Sequence, residues 1–239
     1  MRFIFLLIIP FLSFPQQDKL DQYFSSKNYS MYISLFEDNF SLNQIDDLDS
    51  EVVSKYIISL LKSNFNSFGI LPSRKINNIK NKVESYILKN SSRTRDELLY
   101  EYGKSEFNLN RFKSSVIYLE KIKNKDDEIN FLLGVGEFNN KNFEKSKLYL
   151  EEVSSYIYED KKNLFLGIIS YQAEEFDLAL NYFDNISDKD LEKQYLQYII
   201  SINYLREDYE ATVKLSDKIN NNRTLVDNID YCFFFIGKA

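Results

Sequence analysis

The strongest constraint in this 239-residue sequence is its similarity to itself at a step of just over thirty residues. Four segments align without internal gaps: YGKSEFNLNRFKSSVIYLEKI from Tyr102, LGVGEFNNKNFEKSKLYLEEV from Leu133, LGIISYQAEEFDLALNYFDNI from Leu166 and IISINYLREDYEATVKLSDKI from Ile199. The aromatic in the middle of each is Phe112, Phe143, Phe176 or Tyr209, giving steps of 31, 33 and 33 residues. A fixed period of this size marks a supersecondary unit that cannot bury its apolar face alone and stacks on its neighbours to do so. It points to an array of small repeats rather than one closed core.

Each segment reads as two helices. In the first, a small residue recurs at Gly103, Gly134 and Gly167, with Ile200 as the exception. Glycine inside a helix costs about 1 kcal/mol against alanine, so its recurrence requires a packing reason, and close approach of a neighbouring helix supplies one. Four residues on, on the same helix face, stand Phe107, Phe138, Tyr171 and Tyr204. The second helix opens with the central aromatic. Ser115, Ser146, Ala179 or Thr212 follows after three residues, Leu119, Leu150, Phe183 or Ser216 after seven, and Ile122, Val153, Ile186 or Ile219 after ten. That series is one helical stripe. Thr94 with Glu97, and Ser187 with Asp190, read as N-terminal capping boxes. Only 6 Gly and 3 Pro occur, too few for the turns of a sandwich or barrel, and the fold class expected is all-α.

These residues resemble the tetratricopeptide repeat. Leu133–Gly134 and Leu166–Gly167 match the Leu-Gly pair of that family's first helix, and Phe176, Ala179, Phe183 and Ile186 match the positions of its second. The likeness covers about Arg95 to Ile219. It departs from the family at Glu106, Glu137, Ser170 and Asn203, where the family prefers Tyr, and in lacking the Pro after the second helix. The resemblance implies an α-α superhelix, a solenoid of antiparallel helix pairs. It implies a protein or peptide partner held along the first helices, with no cofactor and no catalysis. By register, Tyr100, Lys104, Phe131, Val135, Leu164, Ile168, Gln197 and Ser201 would face that groove, with Phe107, Phe138, Tyr171 and Tyr204 at its edge or in the packing.

The ends of the chain read differently. Met1–Arg2 begin positively, Phe3 to Phe14 are almost wholly apolar, and polarity returns at Gln16–Gln17–Asp18. This is the pattern of a secretory signal peptide over 1–16, too short to span a bilayer, which takes about 20 residues. The mature chain is expected in the periplasm or associated with the outer membrane, touching membrane only through that segment before cleavage. Residues 17–91 read as divergent helical repeats: a pair over Asp18–Asn39, then helices over Asp49–Ser63 and Ser73–Lys89. The four clear repeats occupy 92–222. Residues 223–239 read as the first helix of a further, incomplete repeat, with Cys232 where glycine stood before, as in the front piece of a longer protein. The whole resembles the N-terminal part of long exported tetratricopeptide proteins of Bacteroidota.

Composition narrows the chemistry. There is no His, which removes the commonest general base and metal ligand. A single Cys forms no internal disulfide. A net charge of −6 disfavours nucleic acid, whose phosphates need clustered Lys and Arg. Asp47, Asp49 and Glu51 alternate like the start of a calcium loop, but Val52 and Ile58 stand where such a loop needs Gly and Glu. Asn28 and Asn90 lie in sequons that chance explains in so Asn-rich a chain. The reading is therefore a non-catalytic interaction scaffold of the cell envelope. The alternatives are a repeat arm of a larger envelope enzyme, and a structural spacer without a discrete ligand.

Overall fold

The computed structural model describes residues 14–41, 48–63, 81, 85–87, 95–221, 232 and 235–238. Every regular element among the described residues is helical. The chain divides into two compact units, 1–124 and 125–239, so the first clear repeat lies in one and the other three in the other. In the first unit α1 (Phe14–Ser25) pairs with α2 (Tyr29–Asn39), α3 (Ser50–Ser63) follows, and α4 (Arg95–Asn108) pairs with α5 (Phe112–Leu119). In the second unit α6 (Asp127–Asn139) pairs with α7 (Phe143–Glu151), α8 (Glu159–Gln172) with α9 (Phe176–Asp184), and α10 (Glu192–Leu205) with α11 (Tyr209–Asn221). There each second helix also packs on the next first helix, and first helices pack on first helices, which makes the unit a tetratricopeptide-like helical solenoid.

The glycines do what their recurrence predicts. A Cβ on Gly103 would lie 2.7 Å from Leu119, on Gly134 2.6 Å from Leu150, and on Gly167 2.4 Å from the Phe183 ring. The two helices of a pair therefore touch backbone to side chain, with the small residue of one seating the large residue seven places into the other. The Ser146 hydroxyl even donates to the Gly134 carbonyl at 2.7 Å. Leu119, Leu150 and Phe183 are fully buried, as are Ser115, Ser146, Ala179 and Thr212 on the same stripe.

One device repeats that no glycine announces. The turn inside each pair holds a non-glycine residue in the left-handed region: Lys27, Asn110, Lys141, Glu174 and Glu207, with φ between 57° and 63°. Around Lys141, its own N–H donates to the Phe138 carbonyl and the Asn142 N–H to the Glu137 carbonyl, both at 2.9 Å. The same two bonds close the turns at Lys27, Asn110, Glu174 and Glu207. This is the Schellman motif, which satisfies the last carbonyls of the first helix and turns the chain into the second. The same motif at Lys27 turns α1 into α2, which packs against it.

Helix starts are capped mainly by aspartate and asparagine. Asn28 accepts from the Met31 N–H, Asp49 from Glu51 and Val52, Asp126 from Ile129, and Asp208 from Ala211. Asp49 thus acts as a helix cap, while Asp47 lies outside the described residues. The capping box expected at Ser187 is corrected: Asp188 caps the short turn Lys189–Leu191 through the Asp190 N–H, because the Ser187 hydroxyl is engaged by Asp160 at 2.9 Å. Thr94 lies outside the described residues. So do 1–13 of the expected signal segment, Asn90, most of Ser73–Lys89 and most of 223–239. Phe14–Gln16 already belong to α1. No helix among the described residues is long and apolar enough to cross a membrane.

Candidate binding surface

The residues expected in the groove divide between the two units. In the first, Tyr100 and Lys104 lie one turn apart on α4 and are half-buried. The Lys104 ammonium donates to the Tyr100 hydroxyl at 2.8 Å and lies 5.1 Å from its ring centroid. In the second unit α6, α8 and α10 carry the other six. Phe131, Ile168 and Gln197 are half-buried. Val135, Leu164 and Ser201 are buried, at 7%, 3% and 0% exposure, and this corrects their assignment as groove-facing contacts. For Leu164 the cover is the second helix of its own pair together with the next first helix, and for Ser201 it is the preceding first helix. Leu164 joins the cluster of Ala179, Phe183, Leu191 and Ile202, and the Ser201 hydroxyl shares a 2.7 Å hydrogen bond with Tyr171 from the preceding repeat.

What the first helices do present is a row of half-buried aromatic rings. Phe138 meets Phe165 at 4.9 Å between centroids, and Tyr171 meets Tyr198 at 5.0 Å, the same contact one repeat later. Phe131 stacks on Tyr158 at 4.6 Å and reaches Phe165 at 6.5 Å. Each edge aromatic also touches the ring that opens its second helix, as in Phe138 with Phe143 and Tyr171 with Phe176. Such pairs contribute about 0.5–1.5 kcal/mol beyond the area they bury. Tyr158, Phe165 and Tyr198 escaped the sequence reading. Phe165 and Tyr198 are separated by 33 residues, and that step was the available signal.

Several charged side chains are paired within their own unit. The Glu106 and Glu137 side chains, where the resembled family prefers Tyr, are buried and paired with Arg111 at 3.2 Å and Lys145 at 3.5 Å. Such a partner offsets part of the cost of taking a carboxylate out of water. Burial lowers the Lys55 pKa, but its bonds to Asp21 at 2.8 Å and Glu51 at 2.9 Å outweigh this and hold the ammonium above its ordinary value. Cys232 is buried, and its thiol is pushed up to about 11, which removes thiolate reactivity near neutral pH. Among the described residues no group of three or more His, Cys, Asp or Glu could hold a metal ion.

Comparison with known proteins agrees with the fold. No family model and no curated protein matches the chain. A solved structure titled MamA MSR-1 C2, a tetratricopeptide-like helical solenoid, is similar to 71% of this chain over 91% of its own length. Its TM-score is 0.54 and its sequence identity 17%.

Proposed function

We propose that this chain is a non-catalytic scaffold of the bacterial cell envelope that binds a protein or peptide partner along its first helices. The observation that carries this reading is the row of half-buried rings on α6, α8 and α10, set at the step of the repeat. Partly open aromatic surface on a rigid helical frame is what a peptide side chain can anchor against. Export rests on the apolar run Phe3–Phe14 behind Arg2, and a source in Bacteroidota on the resemblance of the whole chain. In the second unit the candidate groove is narrowed to Phe131, Ile168 and Gln197; Tyr100 and Lys104 are candidates of the first unit by itself.

The test is affinity capture from envelope extract with the parent chain and with a Phe131→Ala/Ile168→Ala/Gln197→Ala variant whose circular dichroism matches the parent. The reading expects one defined protein retained by the parent and lost by the variant. Equal retention, or none by either, would leave the chain as a spacer. Mass spectrometry of the chain recovered from cells tests export, and an N-terminus still at Met1 would overturn it.

A further inference from the structure

The two most exposed large apolar side chains among the described residues are neighbours: Tyr156 is 86% exposed and Ile157 69%. They stand on the short turn Tyr156–Tyr158 that leads into α8 in the second unit. The turn is held from both sides. The Ser155 hydroxyl accepts from the Ile157 N–H at 3.4 Å and the Ser155 carbonyl from the Tyr158 N–H at 3.1 Å. The Tyr158 ring is locked inward on Phe131. Single exposed apolar residues are ordinary, but two side by side on a fixed turn make an apolar knob.

At the other end of α8 the same unit carries a hollow. Phe143 and Lys147 of α7, with Ile169, Gln172 and Ala173 at the end of α8, line a crevice of about 270 Å³ whose open surface is mostly apolar. Glu144 and Glu175 also line it, and the Lys147 ammonium lies 4.0 Å from Glu175. Small-molecule pockets begin near about 300 Å³, so this one has the size for a side chain. Knob and hollow are separated by the 14 residues of α8. At about 1.5 Å per residue that is about 20 Å, so no chain can seat its own knob in its own hollow.

The two features complement each other in chemistry as well as size. An exposed ring meets apolar walls that include the Phe143 ring and Ile169, and a phenol O–H donor meets carboxylates that only accept. We propose that Tyr156 of one copy of this chain seats between Phe143 and Ile169 of a second copy, its hydroxyl donating to Glu144 or Glu175, with Ile157 covering the mouth. Made twice about a two-fold axis the contact closes a dimer, and made once per copy it continues as a ring or filament. Two side chains bury less than a stable interface needs, so the association is weak and follows concentration. The inference goes beyond the partner reading and does not rest on it, since it leaves Phe131, Ile168 and Gln197 unused.

The experiment is sedimentation equilibrium of the chain recovered from cells, from about 10 to 500 μM, beside two one-sided variants. Tyr156→Ser/Ile157→Ser removes the knob, and Ala173→Arg, at an exposed position on the crevice wall, fills the hollow. Both variants should melt as the parent does. The parent should associate with a constant of about 100 μM, and each variant alone at least about tenfold more weakly. An equal mixture of the two should regain association and stop at a dimer, because it holds one intact knob and one intact hollow. A parent that stays monomeric throughout, a folded knobless chain that associates as the parent does, or a mixture that fails to pair would each overturn the proposal. A partner captured by the knobless chain as well as by the parent would leave the scaffold reading standing whatever the sedimentation shows.

Discussion

The two units solve one problem with different chemistry. In the second, helix contacts follow a rule that the period imposes: small residue against large, Gly134 on Leu150 and Gly167 on Phe183. A second rule seals the ends of the first two pairs. Asp127 accepts from the N–H and hydroxyl of Ser154, and Asp160 from those of Ser187, both bridges spanning 27 residues. In the first unit, away from α4 and α5, the joints are singular. The Tyr32 hydroxyl donates to the Val52 carbonyl at 2.9 Å, the Tyr56 hydroxyl to Glu37 at 2.8 Å, and Phe36 stacks on Tyr56 at 3.9 Å. Lys62 joins α3 to α4 through Glu97 and Glu101, both at 3.1 Å. Regular repeats are held by contacts that recur, and divergent ones by contacts that occur once.

That contrast can be broken most severely at Gly167. Gly167→Val drives its side chain into the Phe183 ring, and a loss of about 3 kcal/mol in urea unfolding is expected, with hydrogen-exchange protection falling in α8 and α9. If close approach is the cause, Phe183→Leu in the same chain should restore part of the loss. No recovery would show that the glycine matters for another reason. Tyr32→Phe should cost about 1 kcal/mol, because the Val52 carbonyl loses a buried donor, and exchange should rise in α2 and α3 while α8 and α9 are unchanged.

A smaller effect is expected at Asp160, and it depends on pH. The Ser187 N–H chiefly lowers its pKa below the ordinary 3.8; desolvation opposes this, and the Ser187 hydroxyl and the Asp188 N–H add to the lowering. A carboxylate with a depressed folded value stabilises the fold above its unfolded pKa, and that contribution is lost as pH falls through the folded one. Asp160→Asn should therefore lower stability at neutral pH and flatten its fall in acid below about pH 4. Unchanged curves in the two chains would remove the bridge as a stabilising contact. The smallest effect is local and the same in both units. Lys27→Gly and Lys141→Gly relieve a left-handed residue but loosen the unfolded chain, for a net gain under about 1 kcal/mol each by thermal melts. Unequal gains would show that the two turns are not equivalent.

The repeat was legible because its signals are local and recur. Glycine four places before an aromatic, and the stripe at three, seven and ten residues, fix which faces meet, and the buried Leu119, Leu150 and Phe183 follow. The Schellman turns were not legible, since Lys27, Asn110, Lys141, Glu174 and Glu207 are of three residue types and none is glycine. Backbone hydrogen bonds and the packing of the second helix hold them left-handed. The groove was legible only in part. Register gives the direction of a side chain from its own helix, but Val135, Leu164 and Ser201 are covered by neighbouring helices. Whether such a residue stays open depends on how closely those helices approach.

By itself, then, the sequence determined the period, the helix pairs and the small-to-large contact within each pair, because those depend on residues a few turns apart. Only the tertiary structure decided which first-helix residues are covered, which carboxylates are spent, and where the crevice beside Phe143 opens. Those outcomes depend on distances between helices 27 to 33 residues apart, which are set by the summed packing of whole repeats and by no single motif.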